Sequence, residues 1–230
     1  MSLPKAPAGQ SLADGQERSN VTAIEAETQK IIHEQLQGQV PIPEVFGWIE
    51  DGDQTFIYMS LIEVGTLEKR WSGMDENERL AVCDELKQIV KAWRSLPQGE
   101  QNSYIGIGIS LGHFKVQMPF RQFQDACGIE IYSDVPIVFT HNDLVPPNIF
   151  LSPGLNSKVA AIIDFGQAGW YPAYWEYCMA RRVRIDPQHF DDATQEEWWT
   201  KYLPMILEPV DDEGFYHSWL WFVLSRGIYI

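Results

Sequence analysis

Apolar positions change their spacing several times along the chain, and each change marks an element. Ile24, Ile31, Ile32 and Leu36 recur at helical intervals, and Thr22-Ala-Ile-Glu25 has capping-box spacing, so a helix is predicted from about Thr22. Val40-Pro-Ile-Pro43 cannot continue it, because proline fixes φ, lacks an N–H and drives its predecessor toward extended backbone. Two strand-like runs follow, VFGWIE (45–50) and QTFIYMSLI (54–62), joined by Asp51-Gly52-Asp53 as an antiparallel hairpin. A long helix is predicted from Glu76 to Leu96. It opens on an Asp75/Glu78 capping box and carries Leu80, Cys83, Leu86, Ile89, Val90 and Trp93 as one buried stripe.

The second half reads less evenly. Residues 97–116 are Gly-rich and poorly patterned, which predicts a loop, with a short helix at 119–127. Strands are predicted at 136–140, 149–151 and 158–164, the last two around a Pro153-Gly154 turn. Aromatic-rich helices are predicted at 172–183, 194–206 and 212–227. The expected organisation is α+β in two lobes. Residues 1–21 form a flexible leader rich in Pro, Gly, Ser, Ala and Gln, residues 22–66 a small helix-and-hairpin lobe, and residues 67–230 a helix-rich lobe.

Composition narrows the function. A chain of 230 residues, 45% hydrophobic and 13% aromatic, has enough apolar surface for a real core and is not a disordered chain. Against 32 acidic side chains stand 17 Lys and Arg, and the resulting formal charge of −15 repels phosphate backbones and anionic lipids. No nucleic-acid or membrane partner is expected. The first residues lack the apolar stretch of a signal peptide and no run reaches a bilayer span. Cys83, Cys127 and Cys178 are scattered and share no zinc-ligand spacing, which predicts reduced thiols in a cytoplasmic protein.

Chemistry concentrates in Phe139-Thr-His141-Asn-Asp143-Leu-Val-Pro-Pro-Asn148-Ile-Phe-Leu151, followed by Ile162-Ile-Asp164-Phe-Gly166. Phosphoryl transfer asks a protein for a group that orients the attacking hydroxyl and for oxygen ligands that fix Mg²⁺ on the phosphates. A His-x-Asp-x4-Asn loop supplies one carboxylate and one amide oxygen, and Asp-Phe-Gly at a strand end supplies another carboxylate. Either fragment alone reads as a turn or a strand exit. The two in order, each after a β-rich run, point to the chemistry.

At these residues the sequence resembles the aminoglycoside phosphotransferase and choline kinase-like family, in particular its fungal phosphotransferase-enzyme members. Val40-Pro-Ile-Pro-Glu-Val45, Phe56-Ile-Tyr-Met-Ser-Leu-Ile62 with Glu63-Val-Gly-Thr-Leu-Glu-Lys-Arg-Trp71, and Asp164-Phe-Gly-Gln-Ala-Gly-Trp-Tyr-Pro-Ala-Tyr-Trp-Glu-Tyr177 carry the rest of the likeness. The resemblance implies a bilobal protein-kinase-like fold. His141 would brace the catalytic loop, Asp143 would be the base or hydroxyl-orienting carboxylate, and Asn148 and Asp164 would bind Mg²⁺. Main chain from Ser60 through Ile62 to Glu63 would meet the adenine of ATP, and Glu25 falls where the family pairs a helix glutamate with a nucleotide-binding lysine.

The resemblance stops short of the family's N-terminal nucleotide-binding strands. About 21 residues precede the first helix and Lys5 is their only lysine, whereas three strands and a phosphate-covering loop need on the order of 30. The N-lobe is therefore expected to be truncated. The expected function is phosphorylation of a small-molecule hydroxyl with Mg²⁺ and ATP. The alternatives are ATP-independent acid–base chemistry on a repurposed scaffold (cyclisation, isomerisation or elimination), which needs neither Mg²⁺ nor ATP, and a ligand-binding pseudokinase. Trp170, Tyr171 and Trp219 are the candidates for an aromatic wall facing a substrate. Most of the nine tryptophans are expected in the core.

Overall fold

The computed structural model describes residues 21–36, 38–52, 54–97, 104–111, 114–119, 135–211, 215–217 and 219–220. The leader and most of the 212–227 segment lie outside them, as does Cys127; Cys83 and Cys178 are buried and not in disulfides.

Helix α1 (Ala23–Leu36) starts where Thr22 Oγ1 accepts from Glu25 N–H at 3.3 Å. Its buried face is Glu25, Ala26, Gln29, Ile32 and Leu36, while Ile24 and Ile31 point to solvent. The apolar spacing identified the helix correctly but placed its inner face wrongly, because two of its buried side chains are polar. Strands β1 (Val45–Asp51) and β2 (Gln54–Met59) form the expected hairpin, and Gly52, at φ +62°, takes the left-handed turn position that a side chain resists. Among the described residues this sheet has two strands only.

Short helix α2 (Leu67–Arg70), capped by Thr66, runs into a 3₁₀ turn at Trp71–Gly73. Helix α3 (Glu76–Arg94) carries both halves of the Asp75/Glu78 capping box, with Glu78 N–H 2.9 Å from Asp75 Oδ1 and Asp75 N–H 3.1 Å from Glu78 Oε2. Of the predicted stripe, Cys83, Leu86, Ile89, Val90 and Trp93 are buried, while Leu80 is half-buried and Val82 joins the buried face.

Three further strand pairs support the loops between them. β5 (Ile137–Thr140) pairs with β8 (Gly169–Pro172), and β6 (Ile149–Leu151) with β7 (Val159–Ile162), both antiparallel. The stretch expected as loop at 97–116 instead contains β3 (Tyr104–Leu111), which pairs with β4 (Phe114–Pro119) and runs beside β8. Alternating Gly and Ile in Tyr-Ile-Gly-Ile-Gly-Ile keeps strand period but dilutes its hydrophobicity, so the glycines masked it. Pro119 closes β4, so no helix starts there, and the rest of the 119–127 prediction lies outside the described residues.

Helix α4 is shorter than its predicted 172–183 span, covering Trp175–Arg182, because pairing with β5 holds residues 169–172 extended. After Asp191, whose side chain caps at Thr194 N–H, comes α5 (Asp192–Glu197), a π turn at Trp198–Tyr202, and α6 (Leu203–Ile206). Pro204 explains the π turn. It has no N–H to donate and its ring crowds the preceding turn, so the helix widens around it.

Apolar side chains from α1, α2, α3, β5, β6, β7, α4 and α6 and from the turns between them form one continuous core. Trp71 is its aromatic centre, with ring centroids 5.8 Å from Phe190, 5.2 Å from Trp198 and 4.8 Å from Tyr202. Arg79 lies over its face at 5.0 Å. Truncating a fully buried Trp typically costs 3–5 kcal/mol through lost transfer energy and the cavity left behind. Trp71→Ala should lower unfolding free energy by about 4 kcal/mol in a urea titration, whereas exposed Leu155→Ala should change it by less than about 0.5 kcal/mol.

Candidate active site

The loop leaving β5 is held from behind. His141 is fully buried between Trp93, at 5.8 Å, and Phe165, at 4.4 Å between ring centroids. Its Nε2 lies 2.9 Å from Ile163 C=O, and its Nδ1 lies 3.2 Å from Asp143 N–H. One neutral tautomer satisfies both contacts, with Nε2–H donating and Nδ1 accepting. Burial pushes the imidazole down to about 4, against the pull of Ile163 C=O, so the ring is neutral across the physiological range.

Glu176, on α4, is the site residue that sequence reasoning missed. It is fully buried, and its Oε1 accepts from His141 N–H at 2.8 Å and Asn142 N–H at 3.1 Å. Asn142 is in the left-handed region at φ 69°, a conformation that needs such external support in a non-glycine residue. Burial pushes the Glu176 carboxyl up to about 7, opposed by the Arg94 guanidinium, the two backbone donors and the Trp93 indole. The one available signal was a lone carboxylate inside the aromatic run Tyr174-Trp-Glu-Tyr177.

In front of this clamp stand the predicted chemical groups. Asn148 Nδ2 donates to Asp143 Oδ2 at 2.8 Å and to Asp143 C=O at 3.0 Å, which leaves Asn148 Oδ1 as the atom it can offer a cation. Asn148 C=O accepts from Ile163 N–H at 3.1 Å, so Ile163 is bonded to the catalytic loop through both of its backbone groups. That link aligns the next residue, Asp164, itself left-handed at φ 67°. Burial, and secondly the Asp164 charge, raise Asp143 to about 6 against the opposing hydrogen bond from the Asn148 amide. Burial also raises Asp164, against a hydrogen bond from Gly166 N–H.

The structure thus brings His141, Asp143, Asn148 and Asp164 together, and Glu25 reaches the same place. A Cβ on Gly166 would sit 3.4 Å from Glu25 Oε2 and 3.5 Å from Asp164 Oδ1, so α1 brings Glu25 beside the Asp164 loop. Gln29, one turn further along that face, is fully buried and neither of its amide atoms has a partner among the described residues. Asp143 and Asp164 are half-buried carboxylates near an amide oxygen, donors of the kind a hard cation takes, although among the described residues no three His, Cys, Asp or Glu side chains converge on a metal position.

The nucleotide-facing residues are arranged differently. Ser60 N–H donates to Glu44 C=O at 2.9 Å and Ser60 Oγ accepts from Glu44 N–H at 3.0 Å, so Ser60 fastens the hinge. Ile62 and Glu63 lie in neither helix nor strand, and no main-chain hydrogen bond joins them to a described residue. Two of the three proposed wall residues turn out to be core. Tyr171 is stacked on Trp175 at 5.4 Å, and Trp219 packs edge-on against Trp175 at 5.9 Å, both without appreciable exposure. Their positions on the buried side of β8 and against α4 leave no face for a ligand. Trp170, opposite Phe139 across the β5–β8 pair, is half-buried.

Fold and loops together define a protein-kinase-like fold. A model of the phosphotransferase enzyme family (APH) matches residues 113–206, which include every catalytic-loop and metal-loop residue named above. No curated protein matches the sequence. Among solved structures, an aminoglycoside-3'-phosphotransferase of type VIII aligns with TM-score 0.57 and 16% identity over 89% of this chain and 79% of that one. Aminoglycoside phosphotransferase APH(3'')-Id from Streptomyces rimosus gives TM-score 0.54 at 16% identity over 87% and 80%. The APH(2'')-IIia structure with GDP and kanamycin gives 0.53 at 15% over 89% and 74%. Residues 113–206 are thus similar to the phosphotransferase enzyme family, and the fold is similar to that of the aminoglycoside phosphotransferases. Among the described residues no helix is long and apolar enough to cross a membrane.

Glu176 yields a test with a defined sign. Its folded carboxyl is raised to about 7 from an ordinary 4.5, so the stability it contributes is complete below about pH 4.5 and is lost as pH rises through 7. Glu176→Gln keeps an acceptor for the two loop N–H groups without the charge. Denaturant titrations should show the variant gaining on the parent as pH rises from 5 to 8, and a stability difference independent of pH would contradict the buried-carboxylate assignment.

Proposed function

We propose that the protein phosphorylates a hydroxyl of a small molecule, using Mg²⁺ and ATP. Asp143 receives the hydroxyl and orients or deprotonates it, while Asn148 Oδ1 and the Asp164 carboxylate hold the cation. The observation that carries this reading is the placement of Asp143, with Oδ2 fixed 2.8 Å from Asn148 Nδ2 beside Asp164 on a loop clamped by His141 and Glu176. A carboxylate with a titration midpoint of about 6 is suited to accept a proton near neutral pH. When bound, Mg²⁺ would supply charge stabilisation to the transferring phosphoryl group. This chain's residues position the acceptor and hold the metal's oxygen ligands. The unbonded main chain at Ile62 and Glu63, next to Ser60, is offered to an adenine ring, and Glu25 lies at the phosphate side of the same cleft. Trp170 is the remaining candidate for the acceptor wall. Relatives solved with GDP and kanamycin support a nucleotide and a small-molecule acceptor as the two partners.

One observation favours a second reading. No described lysine or arginine forms an ion pair with Asp143 or Asp164, although cations at the phosphates are worth about 10³–10⁵ in rate where an arginine has been assessed. On that reading Asp143 does acid–base chemistry on a small molecule without a nucleotide, or the cleft binds a ligand without turnover.

Nucleotide binding separates the two. Mg²⁺ with ATP should raise the thermal midpoint, and no shift at millimolar nucleotide would reject the phosphotransfer reading. Asp143→Asn should reduce turnover roughly 10²–10⁴-fold with the fold intact, and unchanged turnover would remove Asp143 from any acid–base role. The rate should also fall as pH drops below about 6, where Asp143 takes up a proton.

A further inference from the structure

The described surface exposes ten large hydrophobic residues to a notable degree, and eight of them fall between Val21 and Leu61. The most ordered group is on the hairpin. Ile49 and Phe56 are cross-strand partners, and Tyr58 follows Phe56 on the same face; they are 47%, 48% and 47% exposed. Phe46 and Leu61 extend the patch at 66% and 82% exposed. Trp48 and Ile57, on the opposite face, are half-buried. Neither strand has a third partner among the described residues, so the sheet leaves main-chain donors and acceptors unpaired at both edges. A two-stranded hairpin is marginal by itself, and a longer sheet or a covered face is what normally stabilises one.

Charge identifies the occupant. From Glu34 to Glu68 the chain has seven carboxylates and no Lys, Arg or His. Glu44, Glu50, Asp51 and Glu63 are exposed around the apolar face. An acidic rim repels a second copy of this acidic chain and repels an anionic lipid surface. Open strand edges call for another polypeptide main chain, which lipid cannot supply.

We propose that the β1–β2 hairpin is the docking surface for an extended polypeptide segment that alternates apolar and basic side chains. The segment pairs with an open sheet edge, lays apolar side chains beside Ile49, Phe56 and Tyr58, and sets its cations against Glu44, Glu50, Asp51 and Glu63. This does not depend on the reaction the active site performs.

The test uses the full chain and two synthetic ten-residue peptides sharing alternate valines, one with lysine and the other with glutamate between them. The lysine peptide should bind at least tenfold more tightly than the glutamate peptide. It should also bind at least tenfold more tightly to the parent than to Phe56→Gln/Tyr58→Gln, and it should slow amide exchange in one hairpin strand. Ile49→Gln gives the same reading if the double variant unfolds. Equal binding to parent and variants would overturn the proposal, since it would show charge attraction without the hairpin. So would a dimer in sedimentation that the variants disperse, or equal-strength binding to phosphatidylserine vesicles.

Discussion

The loop after β5 turns two backbone N–H groups, those of His141 and Asn142, into the protein interior, and one carboxylate oxygen of Glu176 receives both. Buried donors of this kind cannot be left unpaired without a penalty of about 1–3 kcal/mol each. Their satisfaction fixes the left-handed turn at Asn142, and that turn delivers Asp143 to Asn148. The His141 ring then ties the loop to Ile163, and Ile163 positions Asp164. Each reactive group is therefore held by neighbours that do no chemistry themselves.

The same arrangement concentrates negative charge. Asp143 and Asp164 are half-buried, the Asp164 charge raises the cost of ionising Asp143, and Glu25 and Asp164 flank the same glycine, Gly166. On the proposed reading, a divalent cation would offset this concentration of charge. The acidity extends beyond the site to the hairpin rim. There it bears on which partners the surface admits.

Where elements are strongly periodic and self-contained, the sequence was a good guide. Helix α3, its capping box and its stripe could be read directly, as could the β1–β2 hairpin and the order of the His141-to-Asn148 loop and Asp164. Long-range pairing was less visible. β8 was not foreseen, and its last residue, Pro172, was read as the start of a helix, because the partner strand β5 that holds residues 169–172 extended lies some thirty residues earlier. The β3–β4 hairpin was hidden by its glycines. Tyr171 and Trp219 carry an aromatic signature that serves a core as well as a binding wall, and burial assigns them to the core. Glu176 has no motif of its own, since its importance comes from two N–H groups 34 and 35 residues away in the chain.

The central claim is that these loops form an oxygen-ligand site for a divalent cation. Titration with Mn²⁺, followed by electron paramagnetic resonance as a reporter for Mg²⁺, tests it most directly. The account predicts one saturable ion per chain, with affinity falling at least about tenfold in Asp164→Asn and in Asn148→Ala. Saturable binding that neither substitution weakens, or no saturable binding at all, would contradict it.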